Sequence, residues 1–444
     1  MKQIDIMKYK NFLWTALAVA TISSAVQGQT RMSDTLQQSI RSSSKLTQVT
    51  EMAEKLVQSG FTAGDGYGEV WIRDLNSFVE LSTKVNGQER TREALLMFFK
   101  FQQPDGNIPD GYIPAARAGA GYVYQTSPYE PDYRSHKNTV ETDQETSLIQ
   151  AVHKYIQATG DRAFLHIKVG DRTVVDRMHD ALQYLLDDRF NAKYGLLWGA
   201  TTVDWGDVQP EHEWGVALDS SSHPAIDIYD NAMFVIAINN YLDLVDDRPR
   251  QVYWTKVGHD ITKNTRKYLW DKERKKYHPH IYLDKGSPFP NTFDEEEIYY
   301  HGGTFTAIEA GFLTKKEIRE AYLRMQDNVK KSGAPSIGLT VYPPYPNGTF
   351  ENKGLGEYSY QNGGDWTWFG GRMVQQLIRV GMYEEAYEAL APMVDLVLDH
   401  KGFYEWWTRD GKPAGSASFR GAAGVLWKSI EMLHEQADSN KSKQ

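Results

Sequence analysis

Apolar side chains recur at three- and four-residue spacing along most of the chain, the period of a helix with one buried face. The pattern predicts helices over residues 34–58, 73–85, 88–102, 143–158, 162–187, 228–245, 251–270, 304–312, 315–332, 364–379, 382–397 and 419–437. Short joins such as Ala158-Thr159-Gly160-Asp161 and Val380-Gly381-Met382 suit helix–turn–helix hairpins. Between the pairs lie aromatic, Gly/Pro-rich stretches at 59–72, 103–142, 188–227, 271–303, 333–363 and 398–418. Loops of that length inside a folded chain usually carry function. Six helix pairs and six long loops predict an all-α fold, an (α/α)6 toroid of helical hairpins with the loops gathered into a cleft at one end. There is no fixed-period repeat of the solenoid kind, and strand-like pieces such as Thr340-Val341-Tyr342 are too few for a sheet-based fold.

The first 28 residues depart from this pattern. Lys8 and Lys10 precede an apolar run from Phe12 to Ile22, and small residues then stand at the −3 and −1 positions of a site after Gly28. That is the pattern of a secretory signal peptide, with a run too short to span a bilayer. No cysteine follows to take a lipid anchor, and no later segment approaches 18 apolar residues. The expectation is a signal peptide over 1–28 and a single domain over 29–444, periplasmic or extracellular, with no membrane span. An exported chain without cysteine fits a bacterial route best.

Composition narrows the function. The balance of 49 Lys and Arg against 58 Asp and Glu gives −9, which disfavours nucleic acid as a partner. The absence of Cys removes disulfides, thiolate zinc sites, iron–sulfur clusters and a cysteine nucleophile. The 12 Trp and 26 Tyr could stack on the apolar faces of pyranoses or fill a core, and their number alone does not separate the two.

Candidate chemistry lies in the loops. Gly66-Tyr67-Gly68-Glu69-Val70-Trp71-Ile72-Arg73-Asp74 sets Arg73 and Asp74 at a helix start, where the pair can bond vicinal hydroxyls from donor and acceptor sides or simply answer the helix dipole. The run from Gln102 to Tyr112, with two Asp-Gly turns, reads as structural, and Glu141-Thr142-Asp143-Gln144-Glu145-Thr146 reads mainly as a capping box of Thr142 with Glu145. In Thr201-Thr202-Val203-Asp204-Trp205-Gly206-Asp207, two carboxylates flank an indole. Desolvation beside an indole raises a carboxyl pKa and keeps a proton available near neutrality, as a general acid requires. Glu211 and Glu213 follow, so several acids compete for that role. Gln361 and Asn362 offer amides before a double glycine, Asp365 starts a helix, and Trp366 and Trp368 can line a cleft. Glu405 stands among Phe403, Tyr404, Trp406 and Trp407, a costly setting for a carboxylate unless it is paired or has a task. It is the candidate base for activating water. His278-Pro279-His280 reads as structural, and Asp294-Glu295-Glu296-Glu297 as a solvated acidic face more readily than a calcium loop. No metal or cofactor is expected.

Together these segments resemble the (α/α)6-toroid glycoside hydrolases. Tyr358-Ser359-Tyr360-Gln361-Asn362-Gly363-Gly364-Asp365-Trp366, then Glu405-Trp406-Trp407 and Gly411-Lys412-Pro413, look like the alkaline/neutral invertase pattern "YSYHNGGSW", "PEYYD" and a Gly-rich turn. Val70-Trp71-Ile72-Arg73-Asp74 looks like the Trp-x-Arg-Asp segment of glucosidase and glycogen-debranching families, which holds the sugar at subsite −1. The resemblance implies Glu405 as base and an acid aspartate in the Asp204 region, either Asp204 or Asp207. The chain departs from the pattern in Trp406-Trp407, where the invertases carry Tyr, and in an insertion from Gln209 to Ile226. The expectation is an inverting, metal-independent glycosidase acting as a monomer on an oligo- or polysaccharide. Asp204 and Glu405 are catalytic, and Trp71, Arg73, Asp74, Trp205, Asp207, Gln361, Asn362, Asp365, Trp366 and Trp406 bind the sugar. A lyase or epimerase on the same toroid, and a non-catalytic glycan-binding protein, are the alternatives.

Overall fold

The computed structural model describes residues 31–119 and 122–439, so the expected signal peptide over 1–28 lies outside the described residues. Thirteen α-helices occur among them: α1 (Asp34–Arg41), α2 (Ser44–Val57), α3 (Ile72–Asn86), α4 (Gln88–Phe101), α5 (Asp143–Thr159), α6 (Val174–Asp188), α7 (Ile228–Leu244), α8 (Arg248–Tyr268), α9 (His301–Glu309), α10 (Lys315–Ser332), α11 (Thr367–Arg379), α12 (Tyr383–Asp399) and α13 (Arg420–Ser439). Two predicted elements differ. The helix expected over 34–58 breaks at Ser42-Ser43, because the Ser43 hydroxyl accepts from Leu46 N and restarts the helix. The helix expected from 162 begins at Val174 instead. A 3₁₀ turn and a hairpin turning at Gly170 (φ +66°) precede it, and the Thr173 side chain caps it.

The helices form two layers. α3, α5, α7, α9, α11 and α13 pack each against the next, and α13 returns to α3, closing a ring. Around it, α2 packs on α3 and α13, α4 on α3 and α5, α6 on α5 and α7, α8 on α7, α10 on α9, and α12 on α11 and α13. Sequence explains which helix goes where. α7 (IYDNAMFVIAINNYLDL) buries residues all round, whereas α10 buries one stripe and is capped for solvent by Thr314, Glu317 and the left-handed Gly333. A helix apolar on every side must lie inside, and an amphipathic one can lie on the rim. Close packing of the ring needs glycine: a Cβ on Gly424 would stand 2.3 Å from Phe78 Cβ, and one on Gly371 2.5 Å from Val425 Cγ1. The strands are short pieces within the loops, as expected.

The N-terminal ends of the inner helices face the long loops. A second hollow of about 410 Å³ lies among the inner helices, where Lys154, Arg372, Arg379 and Lys428 gather with Glu80 and Glu309. There Glu309 accepts from Arg372 at 3.0 Å and lies 3.7 Å from Arg379.

Candidate active site

The loops at the N-terminal ends of the ring enclose a cleft of about 760 Å³. Trp71, Arg73 and Asp74 enter it from the start of α3, and Glu141 from just before α5. Trp205 and Asp207 come from the loop before α7, Tyr360, Gln361 and Trp366 from the loop before α11, and Glu405 and Trp406 from the hairpin before α13. The sequence therefore brings most of the expected residues into one hollow.

Glu405 lies on the strand Tyr404–Trp407, paired antiparallel with Pro413–Ala417. Its Oε1 accepts from Tyr67 Oη at 2.7 Å and its Oε2 from Ser416 N at 2.7 Å. Gly415 (φ +70°) permits this approach, since a Cβ there would stand 2.4 Å from Oε2. Burial raises the Glu405 pKa, the two hydrogen bonds work against that rise, and the charge of Asp207 adds to it. Glu405 and Asp207 therefore sense each other within the same cleft.

Arg73 is the only cation among the described residues lining this cleft. Its guanidinium donates to Asp110 at 2.6 Å and lies 3.5 Å from Asp143, 3.7 Å from Glu141 and 3.7 Å from Asp207. One positive charge cannot hold that many buried carboxylates ionised. Burial accordingly pushes Asp110 and Asp74 each up to about 7, against the pull of Arg73. Glu141 rises well above the carboxylate range through burial and the neighbouring Asp143. Both Glu141 oxygens are buried without a hydrogen-bond partner, so this carboxyl can bond a hydroxyl of a ligand in the cleft. Asp207 accepts from Gln361 Nε2 at 2.9 Å. The floor is aromatic: Trp205 stacks on Phe369 at 4.3 Å and meets Trp366 edge-on at 4.8 Å. The Trp71 indole nitrogen also lacks a partner, leaving a donor for a hydroxyl group, whereas the Trp205 nitrogen edge packs against Gly302 beside Asp204.

Three expected site residues lie elsewhere. Asp204 does not line the cleft: at φ +55° its side chain turns away, and its Oδ1 accepts from Gly303 N at 2.8 Å in the first turn of α9. Burial raises its pKa as the sequence suggested, but behind the floor, out of reach of a ligand in the cleft. Asn362 is structural: it accepts from Tyr345 N at 2.8 Å and donates to Tyr345 O and Leu355 O, both at 2.9 Å. Asp365 accepts from Ser336 N at 2.7 Å and Ser336 Oγ at 2.8 Å, so it braces a loop. The capping box expected before α5 is also absent. The Thr142 side chain makes no capping bond, and Glu145 instead accepts from Ile108 N at 2.8 Å and Lys137 Nζ at 2.6 Å. The acidic run near 295 is engaged with histidines and tyrosines, Glu295 with His280 at 2.9 Å and Tyr282 at 2.6 Å. Tyr67 and Glu141 were missed as site residues. Both stood inside motifs already singled out, but their approach to Glu405 and Arg73 is tertiary.

A helical ring whose loops surround a cleft of carboxylates, one arginine and tryptophans defines a glycoside hydrolase on an (α/α)6 toroid. Residues 43–371 match the family described as Glycosyl hydrolase 94 superfamily, catalytic domain, and the chain belongs to that family. Glu405 lies beyond the matched segment. No curated protein matches the chain. Among solved structures, the GH63 mannosylglycerate hydrolase from Thermus thermophilus in complex with glucose is similar, with a TM-score of 0.61 and 15% identity over 86% of this chain and 99% of that one. A rhamnosidase from Klebsiella oxytoca with rhamnose bound gives 0.57 and 13% over 87% of this chain and 63% of that one. The GH78 family rhamnosidase of Bacillus sp. GL1 gives 0.56 and 14% over 86% of this chain and 34% of that one. At these identities the likeness is one of fold.

Proposed function

We propose that the protein is an exported, inverting glycosidase that removes a sugar from an oligo- or polysaccharide, with Asp207 as general acid and Glu405 as general base. Asp207 gives its proton to the glycosidic oxygen as the C1–O bond breaks. A water on the opposite face of the ring attacks C1 and passes a proton to Glu405. Solvent exchange then returns Asp207 and Glu405 to their starting forms. Inversion needs a carboxyl separation of about 6.5–9.5 Å, enough for that water. Arg73, Asp74, Glu141 and Gln361 supply donors and acceptors for sugar hydroxyls, and Trp71, Trp205, Trp366 and Trp406 supply apolar faces. The leader-like segment at 1–28 supports export.

The observation that carries this reading is that Glu405 and Asp207 share one aromatic cleft, with Glu405 already oriented by Tyr67 and Ser416. A uronate lyase is disfavoured because Arg73, the only cation among the described lining residues, is already engaged by carboxylates. The deciding experiment follows product anomer by NMR on a panel of α- and β-linked oligosaccharides, with Glu405→Gln as control. The expected result is product of opposite anomeric configuration, and a loss of about 10²–10⁴-fold in the variant. Retained configuration, an unsaturated product, or full turnover by folded Glu405→Gln would each reject the mechanism.

A further inference from the structure

The inserted stretch from Gln209 to Ile226 begins two residues after Asp207 and contributes Trp214, Gly215 and Val216 to the cleft lining. It is firmly tied down. Gln209 Nε2 donates to Ala217 O at 3.1 Å, Thr139 N to Val216 O at 2.7 Å, and Leu218 N to Thr139 Oγ1 at 2.7 Å. His223 Nδ1 and Glu211 Oε1 are hydrogen-bonded across its base. At its tip the Trp214 ring is 70% exposed, yet it is one of the residues lining the cleft. It makes no ring contact with another aromatic among the described residues.

Covering an exposed indole with the apolar face of a sugar removes that surface from water, and the place of Trp214 in the cleft lining offers such a cover. Trp71, Trp205 and Trp366 are sunk in the floor at 8%, 6% and 2% exposed, and Trp406 is half-buried. Floor and mouth therefore differ. Trp214 is the more exposed ring, and it lies on the same loop as Asp207. Across the mouth, Tyr122 is also exposed and stacks on His136 at 4.0 Å, giving the opposite bank a second braced ring.

We propose that Trp214 forms a leaving-group subsite that stacks on a pyranose beyond the scissile bond, so that the substrate carries at least one further sugar on that side. A glycoside with a small polar aglycone would leave this ring uncovered. The inference rests on Asp207 being the acid, which sets the side of the cleft from which the leaving group departs.

Binding separates this proposal from the hydrolase reading. The full chain carrying Glu405→Gln is titrated calorimetrically with maltotriose, cellotriose, xylotriose and mannotriose, and with the methyl glycosides of the same sugars. At least one trisaccharide is expected to bind tenfold or more tighter than its methyl glycoside. Adding Trp214→Ala is expected to reduce that preference about tenfold, and Trp214→Phe to restore most of it, with unchanged melting temperature because the ring is exposed. An equal preference with and without the ring, or no trisaccharide preference across the panel, overturns the subsite. Persistent preference for a trisaccharide that the unsubstituted enzyme never cleaves would instead reject the hydrolase reading and leave the subsite standing.

Discussion

Asp204 and Asp207 flank the same tryptophan, and replacing each by asparagine separates their roles. In Asp207→Asn the amide oxygen can keep the 2.9 Å bond from Gln361 Nε2, and the amide nitrogen turns toward Arg73 Nη2, 3.7 Å from the present Oδ2. Arg73 remains held by Asp110 at 2.6 Å, so the cleft keeps its shape. What disappears is the proton. General acid catalysis contributes about 10²–10⁴-fold, or about 2.7–5.5 kcal/mol of barrier. In Asp204→Asn the amide oxygen continues to accept from Gly303 N. Burial raises the pKa of that carboxyl, and the amide is isosteric and keeps the Gly303 bond, so the exchange costs about 1 kcal/mol of stability or less. The assay is kcat/KM on the best oligosaccharide and on a nitrophenyl glycoside of the same sugar, whose leaving group needs no proton. Asp207→Asn should lose about 10²–10⁴-fold on the first substrate and about tenfold or less on the second, while Asp204→Asn stays within about threefold on both. A hundredfold loss in folded Asp204→Asn, or wild-type rates in Asp207→Asn on the oligosaccharide, would refute the assignment.

Three further outcomes follow from the same coordinates. Tyr67→Phe removes the phenol that donates to Glu405 at 2.7 Å and so raises the Glu405 pKa. Because the base must be ionised, the acid limb of the kcat/KM profile should move up by about 1 pH unit, and an unchanged profile would remove Tyr67 from that role. Burial alone would raise Glu309, but Arg372 and Arg379 overcome it and hold its pKa at about 2, below the ordinary 4.5. A folded-state pKa below the unfolded one stabilises above about pH 4.5 and is lost as pH falls toward 2, a contribution of about 3 kcal/mol. Urea denaturation from pH 7 to pH 3 should therefore show a shallower acid loss in Glu309→Gln than in the parent. Asn362→Ala strips partners from Tyr345 N, Tyr345 O and Leu355 O and should cost about 3 kcal/mol in stability. Its activity per folded molecule, read at a temperature well below its melting point, should be retained.

The hairpins were legible because inner and outer helices carry different patterns, as α7 and α10 show. The break between α1 and α2 was not, since apolar spacing runs unbroken through Ser42-Ser43 and only the caps reveal the turn. In the site, Trp71, Arg73 and Glu405 were legible because each stands at a loop end beside aromatic residues. Asp204 and Asp207 share one local composition, and the choice between them was made by the docking of α9, whose Gly303 amide takes Asp204. Asn362 and Asp365 look like sugar-binding groups in sequence, but their own loops need them to satisfy Tyr345 and Ser336. Glu141 was hidden by a plausible capping motif that the folded chain does not form.

The arrangement of the inner helices also has an electrical consequence. Each contributes roughly half a positive charge at the mouth and half a negative charge at the far end. Asp207 and Glu405 line the mouth beside Arg73, and Lys154, Arg372, Arg379 and Lys428 line the second hollow with Glu80 and Glu309. The mouth carboxylates thus offset part of the peptide dipoles there. An uncharged glycan should meet this entrance at a rate that added salt hardly changes, whereas an acidic one gains no guidance toward it.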